Sequence, residues 1–261
     1  SKEMEECLNY LQSATAIRPD HPEVLEKLSY VHGLRKELDN QAKVDQKLFF
    51  LKSDNALVSK RLYSWFQNSG DLQNSIFHLK NYLKENPSDV EKVQLLATLS
   101  NQTGMHAQEI QAYQMLENLG IELPVNHFLN VGRAYLALNR EEKAAECFQK
   151  YLSKNPENQG LHFQLGMIYK KQGFLKKSVF TFREILRKDN SNTTVKFELA
   201  NALFEDRNLQ ESKEILEELL SIKPYHTAGR ELLAKIHYKK GENRSAMEIL
   251  DQLLKANPDN V

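Results

Sequence analysis

Apolar and polar positions along this chain alternate with the period of amphipathic helices, and the alternation itself repeats. In Val125 to Asn158, Phe128, Val131, Ala134 and Tyr135 fall at helical spacing, Asn139 interrupts, and Ala144, Phe148, Tyr151 and Leu152 resume the pattern. This predicts two helices of about three to four turns each, joined by a short turn. The same design returns without a gap in Gln159 to Asn192, Thr193 to His226 and Thr227 to Asn260. A helix-stopping position marks each unit's end, at Pro19, Ser53, Pro87, Pro156, Asn190, Pro224 and Pro258, spaced by 34 residues except for one extra residue near Ile121 to Pro124. Gly70, Gly104, Asn139, Gly173, Arg207 and Gly241 occupy the turn slot, mostly residue types that tolerate a left-handed helix end. Such periodicity specifies a helical array in which no unit buries its own apolar face and each must stack on its neighbours.

Small residues recur where paired helices must approach closely: Gly132, Gly166, Ala200 and Ala234 in first helices, Ala144, Ser178, Ser212 and Ala246 in second helices. With Phe128, Val131, Tyr135, Phe148 and Pro156 of one unit, and His162, Leu165, Tyr169, Phe182 and Asn190 of the next, the pattern resembles the tetratricopeptide repeat. The resemblance covers nearly the whole chain and implies an all-α fold, a right-handed α-solenoid of stacked antiparallel helix pairs. Residues 1–21 read as the second helix of a truncated repeat, 22–124 as three units, and 125–260 as four regular units. The unit from Pro22 to Asn55 is the weakest. Gln41 and Asp45 stand where a small and a large apolar residue are expected, so its second helix is expected to shift register around Val44, Leu48 and Leu51. Both ends read as cut from a longer array, which would leave apolar end faces able to stack on another chain.

Composition removes several functions. Lys plus Arg equals Asp plus Glu, 35 against 35, so no global field draws in nucleic acid or an anionic membrane. The longest apolar runs resemble Leu48 to Leu51, far short of the roughly 18 residues of a bilayer span. Cys7 and Cys147 are isolated thiols, which indicates neither a disulfide framework nor a zinc site. None of this fixes a compartment.

Catalytic constellations are equally missing from the sequence. No His-Glu-x-x-His, phosphate-binding glycine loop or Gly-x-Ser-x-Gly occurs, and acidic pairs such as Glu141-Glu142 and Glu217-Glu218 fall on faces where solvated charge is the default. Neither a catalytic residue, a metal ligand nor a cofactor is expected. His32 and His237 stand in the slot of Phe66, Tyr135 and Tyr169 and are expected to be packed rings. Lys170 to Asp189 carries seven basic residues against two acidic, whereas Glu198 to Glu218 carries seven acidic against two basic. Surface pairs that register adjacent units are the favoured reading of these blocks, ahead of a nucleic-acid patch from Lys170 to Lys188.

In the family resembled, the second, fifth, ninth and twelfth places of each unit face the concave groove. In the early units these places are largely polar, with Glu23, Glu26, Lys60, Ser64, Gln94 and Asn101 among them. In the later units they hold Leu129, Arg133 and Leu136, then Phe163, Met167 and Lys170, then Phe197, Asn201 and Phe204, then Lys235 and Tyr238. These residues are the candidate partner site. The rings either line an exposed groove, which would accept an extended or amphipathic segment of another protein, or pack against the neighbouring unit. The basic clamp by which some family members grip chaperone tails is not matched. The resemblance thus implies a non-catalytic scaffold for protein interaction. The alternative is a docking arm of a larger enzyme whose catalytic domain lies outside this segment.

Overall fold

A computed structural model describes residues 2–52 and 55–256, so the expected stops at Ser53 and Pro258 and the array end at Asn260 lie outside the described residues. The described residues form fifteen α-helices and no strand. They divide into two compact units, Ser1–Asn139 and Arg140–Val261. The first holds α1 (Lys2–Ile17), α2 (Pro22–Leu34), α3 (Leu38–Leu51), α4 (Ala56–Ser69), α5 (Leu72–Glu85), α6 (Val90–Gln102), α7 (His106–Asn118) and α8 (Asn126–Ala137). The second holds α9 (Glu141–Lys154), α10 (Gln159–Lys171), α11 (Leu175–Lys188), α12 (Thr193–Glu205), α13 (Leu209–Ile222), α14 (Thr227–Lys239) and α15 (Asn243–Ala256). Within each unit every helix packs on the next in sequence, and in the second unit α10 also touches α12, and α12 touches α14. This is a stack of helix pairs, as the repeats predict.

Local chemistry sets the helix boundaries. Asn55, Asp89, Asn158 and Asn192 cap first helices by accepting the backbone N–H of Val58, Lys92, Leu161 and Val195 at 3.1, 3.3, 3.0 and 3.1 Å. His226 does the same through Nδ1 to Gly229 at 2.9 Å. Each such cap satisfies an otherwise orphaned donor and contributes about 1 kcal/mol. All six turn-slot residues adopt positive φ, including Asn139 (56°) and Arg207 (62°), and Lys36 (60°) joins them in the first full unit. The small slot of the second helix has a polar purpose as well. Ser75, Ser178 and Ser212 each donate a buried hydroxyl to a carbonyl twelve residues back, on Tyr63, Gly166 and Ala200, at 3.0, 2.9 and 2.6 Å.

The unit from Pro22 keeps its register rather than shifting it. Asp45 is fully buried in the slot where an apolar residue is expected, and Leu51 is 42% exposed. Its carboxylate accepts Ser29 Oγ at 2.6 Å and both prongs of the Arg61 guanidinium, at 2.7 and 2.8 Å. An ion pair with α4 therefore replaces the missing apolar contact. Gln41 fills the room left by Gly33, where an added Cβ would come within 2.7 Å of the Gln41 amide.

His32 and His237 are packed rings, both buried, and each sets Nδ1 against a carboxylate five residues on, Glu37 at 2.7 Å in the first case and Glu242 in the second. The Arg35 guanidinium, with His32 behind it, holds the Glu37 carboxyl down to about 2. Burial acts differently on His78, which stacks on Phe66 at 5.4 Å and meets Phe49 edge-on at 4.6 Å. Desolvation there pushes the imidazole down to about 4. Because the unfolded chain takes up this proton near pH 6.5 and the folded chain only near 4, stability is complete above 6.5 and falls as pH drops through that window. Denaturant titrations at pH 7 and pH 4 should show His78→Phe shrinking the acid-induced loss by on the order of 3 kcal/mol. An identical loss in the variant would show that His78 is not the group responsible.

Candidate functional site

The first helices of the second unit, α10, α12 and α14, adjoin one another and carry the places assigned to the partner face. Phe163 and Met167 are half-buried against a core cluster that includes Phe182, Val195 and Leu199, with the Phe163 and Phe182 ring centroids 5.7 Å apart. Phe197 and Phe204 are half-buried against a second cluster containing Leu232, Leu233 and Ile236, and Phe197 meets the His226 ring at 5.2 Å. Each ring thus reaches toward the following repeat while one side remains partly open. Asn201 is half-buried beside them. Lys235 and Tyr238 are exposed, Tyr238 at 72%. In the first unit, Leu129 and Leu136 are half-buried and Arg133 is exposed, all on α8.

Lys235 and Tyr238 open onto a groove of 780 Å³ between α14 and α15. Its walls include Ala234, Met247, Leu250 and Leu254, and Met247 is 64% exposed. The α15 residues lie outside the first-helix slots from which the candidate partner site was assigned.

Charges on the same unit are organised by pairing between repeats. Lys170 bonds Glu198 and Arg183 bonds Glu211, so the basic block meets the acidic block of the next repeat. Lys171 turns instead to Glu141, and Lys188 to Glu157 at 2.9 Å, both in the preceding repeat. Arg187 is held by Glu184 within α11. Lys170 and Glu198 are half-buried; the exposed pairs among these are each worth about 0–1 kcal/mol, and their use is in fixing register. Lys239 lies over the Phe204 ring with its ammonium 4.4 Å from the centroid, a cation–π contact at the edge of the candidate face. A buried lysine went unpredicted: Lys196, 2% exposed, reaches Glu218 on α13 and Asn190 at 3.2 Å.

Among the described residues no helix is long and apolar enough to cross a membrane. Comparison with known proteins bears on the architecture. Models of the tetratricopeptide repeat match residues 203–261 and 128–158. A 51-residue stretch is 41% identical to the anaphase-promoting complex subunit CDC16 of Saccharomyces cerevisiae, covering 20% of this chain and 6% of that protein's length. Among solved structures, MamA MSR-1 aligns with a TM-score of 0.51 at 16% identity, over 66% of this chain and 98% of MamA. MamA AMB-1 aligns with a TM-score of 0.52 at 16% identity, over 66% and 93% of the two chains. The capped helix pairs, the left-handed turn slots and the small-residue crossings all recur at the spacing of that repeat, and the chain carries tetratricopeptide repeats, matched at residues 128–158 and 203–261.

Proposed function

We propose that this protein is a non-catalytic scaffold whose second unit holds a segment of a partner protein on the face of α10, α12 and α14. The observation that carries this reading is the set of half-open aromatic positions Phe163, Phe197 and Phe204 on adjoining first helices, together with the apolar groove that α14 borders beside Tyr238. An amphipathic helix or extended strand would lay its apolar side on these rings, with Asn201 and Lys235 contacting its polar side. Large apolar side chains left partly open beside a groove are what interaction sites present. The similarity of one stretch to a protein named as a subunit of a complex agrees with a role in assembly.

The test separates contact from folding. Tyr238→Ala lies in the exposed part of the face and should leave helicity and unfolding unchanged while weakening partner capture by about 2 kcal/mol, the scale of an interface anchor. Phe163→Ala and Phe197→Ala should weaken it at least as much. Capture that is indifferent to all three changes, scored by quantitative mass spectrometry with the intact chain as bait, would remove this face from consideration.

A further inference from the structure

The second unit carries another groove, which shares only α10 with the face of α10, α12 and α14. It encloses 560 Å³ between the second helices α9 and α11, with α10 contributing Leu165 and Tyr169. Leu152, Leu165 and Tyr169 line its interior and are all buried, and Phe180, 63% exposed, stands at its edge. Lys176 and Lys177 stand at one end. Of the seven basic residues from Lys170 to Asp189, five are engaged by carboxylates of their own or adjacent repeats. Among the described residues, no carboxylate lies within ion-pair distance of the remaining two, Lys176 and Lys177. The Lys177 ammonium instead sits 5.5 Å from the Tyr169 ring centroid and 5.2 Å from that of Phe174. At the other end, Glu184 is held by Arg187. The groove is therefore apolar along its length and cationic at one end.

We propose that this groove is a second docking site, for a partner segment carrying a large apolar residue flanked by acidic residues. The apolar anchor would enter over Leu152, Leu165 and Tyr169 beside Phe180, and a neighbouring carboxylate would meet Lys176 and Lys177. Charge complementarity selects this occupant. A neutral apolar segment would leave both ammonium groups without a counter-charge, and a basic one would be repelled. The pairing of five basic residues argues against a phosphate backbone, which needs a run of unpaired cations.

The probe is a fluorescein-labelled peptide of sequence Glu-Asp-Phe-Leu-Asp-Glu, titrated with the full chain by fluorescence anisotropy. Saturable binding is expected. It should weaken about tenfold or more in Lys176→Glu/Lys177→Glu and, separately, in Phe180→Ala, and remain unchanged in Tyr238→Ala. These side chains are exposed, so circular dichroism should show the variants folded. Replacing the peptide's acids by their amides, or its Phe by Ser, should abolish binding. No saturable binding, equal binding by the amide peptide, or loss only in Tyr238→Ala would each overturn the proposal. So would sedimentation showing that the lysine pair mediates contact between two copies while the peptide stays unbound.

Discussion

Replacing Arg61 by Ala should destabilise the first unit by about 3–5 kcal/mol, the cost of leaving a buried charge without its partner. Asp45 has no exposed surface, and its two oxygens receive both prongs of the Arg61 fork together with the Ser29 hydroxyl. Without the guanidinium, the buried carboxylate keeps only the Ser29 hydroxyl as a partner. Asp45→Leu is the informative contrast. The Arg61 side chain is 26% exposed and can turn its charge to water, while an apolar residue then occupies a slot designed for one. That variant should cost far less, and exchanging a buried pair for packed apolar groups is often neutral. Trp65, the single tryptophan, sits on α4 with its indole N–H on Asp39 at 2.9 Å, so its fluorescence reports unfolding of this region. A cost below about 1 kcal/mol for Arg61→Ala in urea titrations would show that the pair adds nothing that water cannot replace.

This pair also marks where sequence reasoning stops. Turn residues, unit ends and small crossing positions were legible because each is set by local backbone geometry. Left-handed φ at Asn139 and Arg207, and the end of α11 just before Asn190, follow from position in the repeat. Asp45 was not legible, since its compensating charge lies sixteen residues away on another helix. Lys196 was hidden likewise: at a place held by Phe128 and His162 in neighbouring units, its charge depends on Glu218, twenty-two residues on. For the candidate face, slot position names residues on each first helix but says nothing of their depth. Phe163 and Phe197 share a slot with Leu129, and whether such a ring is open depends on how closely the following repeat approaches.

Phe182→Ala is expected to cost about 3–5 kcal/mol in the second unit, as a fully buried ring leaves a cavity its neighbours fill only in part. The ring lies over Gly166, where an added Cβ would come 2.6 Å from Phe182 Cε1, closer than any real contact. Gly166→Ala therefore sets two effects against each other. Alanine gains about 1 kcal/mol of helix propensity over glycine, but overpacking costs about 1–3 kcal/mol, and with the Ser178 bond to the Gly166 carbonyl holding the two helices together, overpacking prevails. Removing the ring removes that cost. In the Phe182→Ala background, the same Gly166→Ala change should become stabilising, by up to about 1 kcal/mol. The double-mutant cycle should then give a coupling of about 1–3 kcal/mol. Urea unfolding by circular dichroism, with hydrogen exchange on α10 and α11 to localise the effect, measures all four corners. Additive costs would mean that α10 and α11 separate freely enough to accept the methyl group, and that glycine at this crossing is not required by packing.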